Sequence, residues 1–209
     1  MSTFRATIQN KQKLLIIVGL ILLTFTSLSL RFINLGYSEL QDDEKKTKIG
    51  LMENETYSEF FLKQRKGPMQ FIVAHIPNEI YTNRVTVNEL ALRLPFTVAN
   101  LAAVFVLYAL IYKLNKNHLV AFLAAIIFSV NGFVVGFSRI AQYQSLNMLF
   151  SFLALFYFAD LKLKKNNFRF SSIAGALFMS LSLLSHWDVI FYVIPAIYFF
   201  ICFLKRKDV

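Results

Sequence analysis

Three consecutive carboxylates, Asp42, Asp43 and Glu44, are the side chains of this sequence that best suit acid–base chemistry. Adjacent carboxylates repel one another, so one of them can bind a proton more tightly than an isolated carboxylate does. That property suits a general base. The alternative is a solvated acidic cluster whose charge is offset by the lysines that follow it, and the spacing alone favours this alternative.

Arg139 stands between two apolar runs and is a candidate anion ligand. An arginine at the edge of a membrane span usually has a partner, and the planar guanidinium fork matches a phosphate group. The alternative, equally weighted, is a side chain that extends to lipid headgroups. Tyr143 and Gln144 follow Arg139 and either line a polar cavity or form a hydrated helix end.

The sequence His186-Trp187-Asp188 places an imidazole and a carboxylate two residues apart. Such a pair can share a proton or contact a ligand. The alternative is a tryptophan anchored at a membrane interface among polar neighbours. No spacing of His, Cys, Asp and Glu resembles a zinc signature, so we predict no metal ligand and no cofactor, with a divalent cation as the minor alternative.

Membrane spans must position these residues. Of the 209 residues, 56% are hydrophobic and 16% are charged, and the long apolar runs approach the roughly 20 residues with which a helix crosses a bilayer. We predict an all-α, polytopic helical membrane protein. Its six transmembrane helices are expected at 14–33, 90–112, 119–135, 146–161, 168–185 and 189–204.

Basic residues flank alternate ends of these spans and predict the orientation. Twelve of the 22 Lys and Arg residues collect on one side, which the positive-inside rule makes cytoplasmic together with the N-terminus. The loop at 34–89 and the candidate residues then lie on the opposite side. Because topology and lipid headgroups account for the net charge of +10, nucleic acid is disfavoured as a partner.

The long loop contains two apolar stretches, Thr56–Lys66 and Met69–Tyr81, that are too short to cross a bilayer. We expect each to form a helix on the outer membrane surface. The alternative is a mobile surface loop with scattered apolar residues. Arg93 begins an Arg-Leu-Pro sequence at the entry to the second span and is expected to anchor at the membrane interface.

Several short motifs follow one another in an order that resembles the N-terminal half of a GT-C glycosyltransferase. They are YSELQDDE (37–44), KGPMQFI (66–72), LALRLPFTVANLAAVFVLYAL (90–110), GFSRIAQYQSLNMLF (136–150) and LSLLSHWDVIFYVIPAI (181–197). No single motif is very specific, but the shared order covers nearly the whole chain. The branch that the chain most resembles is the group of protein O-mannosyltransferases and lipid A aminoarabinose transferases.

The resemblance implies a reaction and a base. Such enzymes move a sugar from a polyprenyl-phosphate donor to an acceptor hydroxyl on the extracytoplasmic side, here expected with inversion. The acceptor is a protein, a lipid or a glycan. The Asp-Glu pair of the family's first outer loop matches Asp43-Glu44, which makes Asp43 the expected base and Asp42 the second choice.

The resemblance also implies a site for the lipid phosphate. A lysine near the position of Lys66 meets this phosphate in some members, and an outer polar turn of the family resembles His186–Asp188. The family often has an acidic residue near Gln144, where this chain has a glutamine. The residues expected to bind the donor are Arg139, His186, Asp188, Lys66, Gln144 and Tyr143.

Two further functions fit the same topology. A lipid or sugar transporter module predicts charged residues at mid-membrane depth, whereas these spans are nearly free of charge. A non-catalytic partner subunit shares the predicted topology, and only the importance of Asp43 separates it from an enzyme. Related enzymes usually have more spans and often a C-terminal domain, so we expect a fragment or truncated N-terminal module from the plasma membrane of a prokaryote.

Overall fold

The computed structural model describes residues 2–45, 47, 56–64, 66–81, 89–163 and 168–205, without the side chains of 2–11, 42, 43 and 77–81. These residues form helices and connections, with no strand among them. The helices are α1 (Ser2–Phe32), α2 (Asp42–Lys45), α3 (Tyr57–Lys63), α4 (Pro68–Tyr81), α5 (Glu89–Asn115), α6 (His118–Val130), α7 (Gly132–Ser138), α8 (Tyr143–Leu163), α9 (Phe168–Ser185) and α10 (Ile190–Leu204), with a 3-10 turn at Trp187–Val189 before the last.

The described helices confirm a polytopic helical membrane protein. Five of them are long and apolar enough to cross a membrane, and the consecutive helices α6 and α7 make a sixth candidate if they count as one span. The first candidate span covers Gln12–Phe32 of α1. The apolar runs form helices because backbone N–H and C=O groups in a bilayer need hydrogen-bond partners within the same segment, and a helix supplies them.

The third span is broken where a continuous helix was expected at 119–135. The axes of α6 and α7 differ by 64°, and Asn131 lies between them. Its side-chain oxygen accepts the N–H groups of Phe133 at 3.0 Å and Val134 at 3.2 Å, so it caps the start of α7. An asparagine in this position competes with the helical backbone for hydrogen bonds, which explains the break.

Helix α8 occupies the centre of the bundle and packs against α5, α9 and α10. Small residues such as Ala103, Ala154 and Ala159 are buried at these contacts and let the helices approach closely. Helix α1 joins the bundle through α6 and α5, with Leu23, Val104 and others buried between them.

Both apolar stretches of the long loop are helical, as expected. Thr56 begins α3 with a capping box, in which its side chain accepts from the Glu59 N–H and the Glu59 carboxylate accepts from the Thr56 N–H. Helix α4 packs against α5, α8 and α9. Phe60 and Phe71 meet edge to face at 5.4 Å between ring centroids, so α3 and α4 share a small aromatic core.

Buried charges lie near the ends of the spans. Arg31 at the end of α1 is fully buried and donates to Asn100 Oδ1 at 2.9 Å and to the Ser129 carbonyl at 3.2 Å. At the opposite end of the bundle, Lys113 forms a buried ion pair with Asp160 at 2.9 Å. Each group is held by partners on neighbouring helices, which is how a membrane protein accommodates a charge within its bundle.

Candidate active site

The candidate residues collect at one end of the bundle, which we call the loop end. It comprises the connection between α1 and α5, the junction between α7 and α8, and the junction between α9 and α10. The acidic run, Arg139 and His186–Asp188 each lie on one of these three connections. The alternation of the spans across the bundle therefore brings together segments that are far apart in sequence.

The acidic run forms the short helix α2, and its third carboxylate is an anchor. Glu44 is fully buried, and its two oxygens each accept a 2.8 Å hydrogen bond from the guanidinium of Arg93. The backbone N–H of Ala141 donates to Oε1 at 2.9 Å and that of Gln41 to Oε2 at 3.0 Å. The side chains of Asp42 and Asp43 lie outside the described residues.

These contacts keep Glu44 ionised. Burial by itself raises the Glu44 pKa, but the hydrogen bonds from Arg93, Gln41 and Ala141 and the attraction of the guanidinium outweigh it, so the pKa lies below its ordinary value. A carboxylate with four donors and a lowered pKa is a poor proton acceptor. The geometry thus favours a positioning role for Glu44, the second carboxylate of the pair expected to contain the base.

Arg93 holds the first part of the long loop. Instead of lying exposed at an interface, it is 1% exposed. Beyond Glu44, it donates to the carbonyl oxygens of Leu35, Ser38 and Glu39 at 2.9–3.0 Å. One guanidinium on α5 therefore fixes both the backbone that follows α1 and the helix that carries the acidic run.

A second cluster forms where α8 begins and α9 ends. The ring of Tyr143 stacks on that of His186, with 3.8 Å between centroids and 16° between planes. The Tyr143 hydroxyl donates to Asp188 Oδ2 at 3.3 Å, and His186 Nδ1 lies 3.1 Å from Asp188 Oδ1. The imidazole and the carboxylate that the sequence placed two residues apart are therefore in contact.

The hydrogen bond between His186 and Asp188 depends on whether Nδ1 of His186 carries a proton. Nδ1 also lies 3.2 Å from the backbone nitrogen of Asp188. A bare Nδ1 accepts that N–H, whereas a protonated Nδ1 donates to the Asp188 carboxylate. In a neutral ring, the second tautomer leaves Nε2 with a free lone pair, which can accept a proton or a hydrogen bond from a ligand.

Lys66 and Gln70 contact Tyr143, and Gln144 follows it in the chain. The ammonium of Lys66 lies 5.9 Å from the centre of the Tyr143 ring, within the range of a cation–π contact. Gln70 Oε1 accepts the backbone N–H of Tyr143 at 3.1 Å. Gly67, which follows Lys66, packs against the end of α9, and its N–H donates to the carbonyl of Ser185 at 3.2 Å.

Arg139 caps the end of α1. Its Nη1 donates to the Leu30 carbonyl at 3.0 Å and its Nη2 to the Asn34 carbonyl at 3.1 Å. Two of the five N–H groups of a guanidinium are used in this way. The side chain is only half-buried, so the remaining N–H groups are available for an anion.

The junction between α7 and α8 connects the two clusters. The Glu44 carboxylate accepts the backbone N–H of Ala141, and the Gln70 side chain accepts that of Tyr143 two residues later. The acidic run, Arg139 and the Tyr143–His186–Asp188 cluster are consequently fixed relative to one another. Among the residues described, no group of three or more His, Cys, Asp or Glu side chains is arranged to hold a metal ion.

Sequence reasoning missed two residues that build this site. Arg93 was expected to anchor at the membrane interface, and Glu89, four residues earlier on the same helix, is a local acidic neighbour, so no sequence signal indicated Glu44 as its partner. Gln70 lies in an apolar stretch of α4, and a lone amide in such a stretch was the signal of a buried hydrogen bond.

Comparison with known proteins gives one match. A family model described as dolichyl-phosphate-mannose-protein mannosyltransferase matches residues 66–208. No curated protein and no solved structure matches the chain. The matched range begins at Lys66 and includes Arg93, the junction between α7 and α8, and His186–Asp188.

Proposed function

The chain belongs to the dolichyl-phosphate-mannose-protein mannosyltransferase family, and from this membership we propose that it transfers a sugar from a polyprenyl-phosphate donor to an acceptor hydroxyl. The family makes it a glycosyltransferase of the mannosyltransferase type. The family description supports mannose as the sugar and a protein as the acceptor. The proposed site is the loop end, and the distribution of the basic residues supports a position outside the cytoplasm.

The observation that carries the proposal is the buried Glu44–Arg93 pair. It fixes α2 against α5 and against the junction that leads to Tyr143. Asp43 is next to Glu44 in the sequence, and the junction that Glu44 holds leads to a cluster containing imidazole and ammonium groups, with the Arg139 guanidinium two residues before Ala141. Such a combination of a carboxylate base and cationic groups serves a reaction in which a hydroxyl is deprotonated and a phosphate leaves.

The proposed step uses these groups. The acceptor oxygen attacks the anomeric carbon of the sugar while its proton passes to Asp43. The bond between that carbon and the phosphate oxygen breaks from the opposite face, which inverts the configuration. The leaving polyprenyl phosphate gains negative charge, and Arg139, Lys66 and His186 are the proposed groups that stabilise it.

The test is sugar transfer in membranes that carry the native gene product, with a radiolabelled polyprenyl-phosphate mannose as donor. Asp43→Asn keeps the size of the side chain and removes the base, so we expect transfer to fall by a factor of about 100 or more. Glu39→Gln, which removes an exposed carboxylate of the same loop, is the matched control and should keep its activity.

The other outcomes discriminate between the alternatives. Equal transfer by Asp43→Asn and the native chain would remove Asp43 from the mechanism and direct attention to Asp42→Asn. No transfer by either, with several donor sugars, would support a non-catalytic partner subunit.

A further inference from the structure

Two amide side chains at the loop end have buried atoms that lack hydrogen bonds. Nε2 of Gln70 and Oε1 of Gln144 have no partner among the residues that the structure describes. An unsatisfied buried donor or acceptor destabilises the folded state, so folded proteins retain few of them and those at functional sites require an explanation. A bound ligand supplies one.

The orientation of the Gln70 amide is fixed. The residue is fully buried, and its Oε1 accepts the Tyr143 N–H. Rotating the amide by 180° would bring its NH2 group against this N–H, so that two donors would face each other. The unsatisfied group of Gln70 is therefore a donor, whereas that of Gln144 is an acceptor.

Both residues adjoin Tyr143, which belongs to the aromatic and cationic cluster. Gln70 is bonded to the backbone of Tyr143, and Gln144 is the next residue in the chain. The Tyr143 ring is stacked on His186 and lies beneath the Lys66 ammonium. The unsatisfied donor and the unsatisfied acceptor therefore belong to the site in which we place the glycosyl donor.

The chemistry of the two atoms selects the part of the donor that they contact. A phosphate oxygen only accepts hydrogen bonds, so it would satisfy Gln70 and leave Gln144 unsatisfied. A sugar hydroxyl both donates and accepts, so hydroxyls satisfy both amides. We propose that Gln70 and Gln144 recognise hydroxyl groups of the transferred sugar, with Gln70 as the donor and Gln144 as the acceptor; this inference rests on the proposed function.

The sugar must displace a covering side chain to reach these atoms, because solvent does not reach them in this structure. Lys66 is half-buried and has a long flexible side chain over the Tyr143 ring.

The test removes single hydroxyl groups from the sugar and single hydrogen-bonding groups from the protein. Polyprenyl-phosphate mannose and its 2-, 3-, 4- and 6-deoxy analogues are the substrates, and kcat/KM is measured with membranes carrying each variant. We expect at least one deoxy analogue to lose about tenfold or more with the native chain. Gln70→Glu keeps an acceptor for the Tyr143 N–H but removes the donor, and it should lose a similar factor with the complete sugar.

The decisive measurement combines a protein variant with a deoxy analogue of the sugar. If Gln70 donates to a given hydroxyl, Gln70→Glu loses little or nothing more when that hydroxyl is also absent. Gln144→Met should behave in the same way with its own hydroxyl, and Gln144→Glu, which keeps an acceptor oxygen, should retain more activity than Gln144→Met. Gln12→Glu adds the same charge at an exposed position of α1, away from the loop end, and controls for that charge.

Two results would overturn the inference. Equal losses by Gln70→Glu with every donor, the complete sugar and all deoxy analogues alike, would assign Gln70 a purely structural role while leaving the proposed function intact. If the native chain transfers no sugar at all, the proposed function fails, and the fluorescence of Trp187, the single tryptophan, tests the pair by binding. Binding of polyprenyl-phosphate mannose that is equal in the native chain and Gln70→Glu, or absent from both, contradicts the inference.

Discussion

At the scale of single residues, the loop end depends on a few side chains whose hydrogen bonds are nearly all used. Glu44 accepts four, and Arg93 makes contacts with three carbonyl oxygens besides that carboxylate. Such a group cannot be exchanged for a similar one, because any replacement leaves a buried partner unsatisfied.

Glu44→Gln should destabilise the protein, since it leaves the Arg93 guanidinium buried without a counter-charge. Removing one partner of a buried ion pair costs about 3–5 kcal/mol. We expect a lower thermal midpoint at neutral pH in detergent. An unchanged midpoint would show that the pair is not formed.

The pH dependence of stability follows from the lowered Glu44 pKa. The contribution of the ionised group is complete above the pKa of the unfolded chain, about 4.3, and is lost as the pH falls through the lower pKa of the folded chain. The thermal midpoint of the native chain should therefore decrease as the pH is lowered below about 4. Glu44→Gln should lack this part of the decrease, and identical profiles would contradict the assignment.

Gly67 tests the contact between the long loop and α9. A Cβ at this position would lie 2.7 Å from the Ser185 carbonyl oxygen and still closer to that of Leu184. Gly67→Ala must separate these segments, and we expect a loss of about 3 kcal/mol or more. Gly136→Ala is the control, because a Cβ there meets nothing within 4 Å and alanine favours the helix; equal midpoints for the two variants would refute the close contact.

At the scale of elements, the sequence predicts the spans well and the connections between them poorly. A run of about 20 apolar residues is a local property, and its helical state follows from the bilayer. The break at Asn131 also had a local signal, the Asn-Gly dipeptide, which a continuous apolar run concealed. The pairing of Glu44 with Arg93 had no local signal, because the two residues are 49 positions apart and meet only when α1 and α5 pack.

Asn131 is expected to hold the break in the third span. Asn131→Leu removes both hydrogen bonds to the first turn of α7 and should cost about 1 kcal/mol, which corresponds to roughly 2–4 °C in the thermal midpoint of a chain of this size. Asn131→Asp keeps an acceptor oxygen and should retain most of this stability. If the two variants have equal midpoints, the side-chain cap does not maintain the break.

At the scale of the whole molecule, the remaining prediction concerns orientation. The distribution of Lys and Arg predicts that the N-terminus lies in the cytoplasm and the loop end outside. The chain has one cysteine, Cys202, so a Cys202→Ser background allows single cysteines to be introduced. A membrane-impermeant maleimide added to intact cells should label Ser58→Cys in α3 and should not label Asn117→Cys between α5 and α6. The reverse pattern would place the proposed chemistry in the cytoplasm.

The order of synthesis gives the buried Arg31 a further importance. Its partners Asn100 and Ser129 follow it in the chain by 69 and 98 residues. At a translation rate of about 5–20 residues per second, roughly 5–20 s pass between the synthesis of Arg31 and that of Ser129. Until Asn100 is synthesised, the guanidinium has only the Ser27 carbonyl of its own helix as a partner among those seen in the fold. The complete hydrogen-bond set of Arg31 therefore forms only after the third span has been synthesised, so the packing of α1 against α5 and α6 is a late step of assembly.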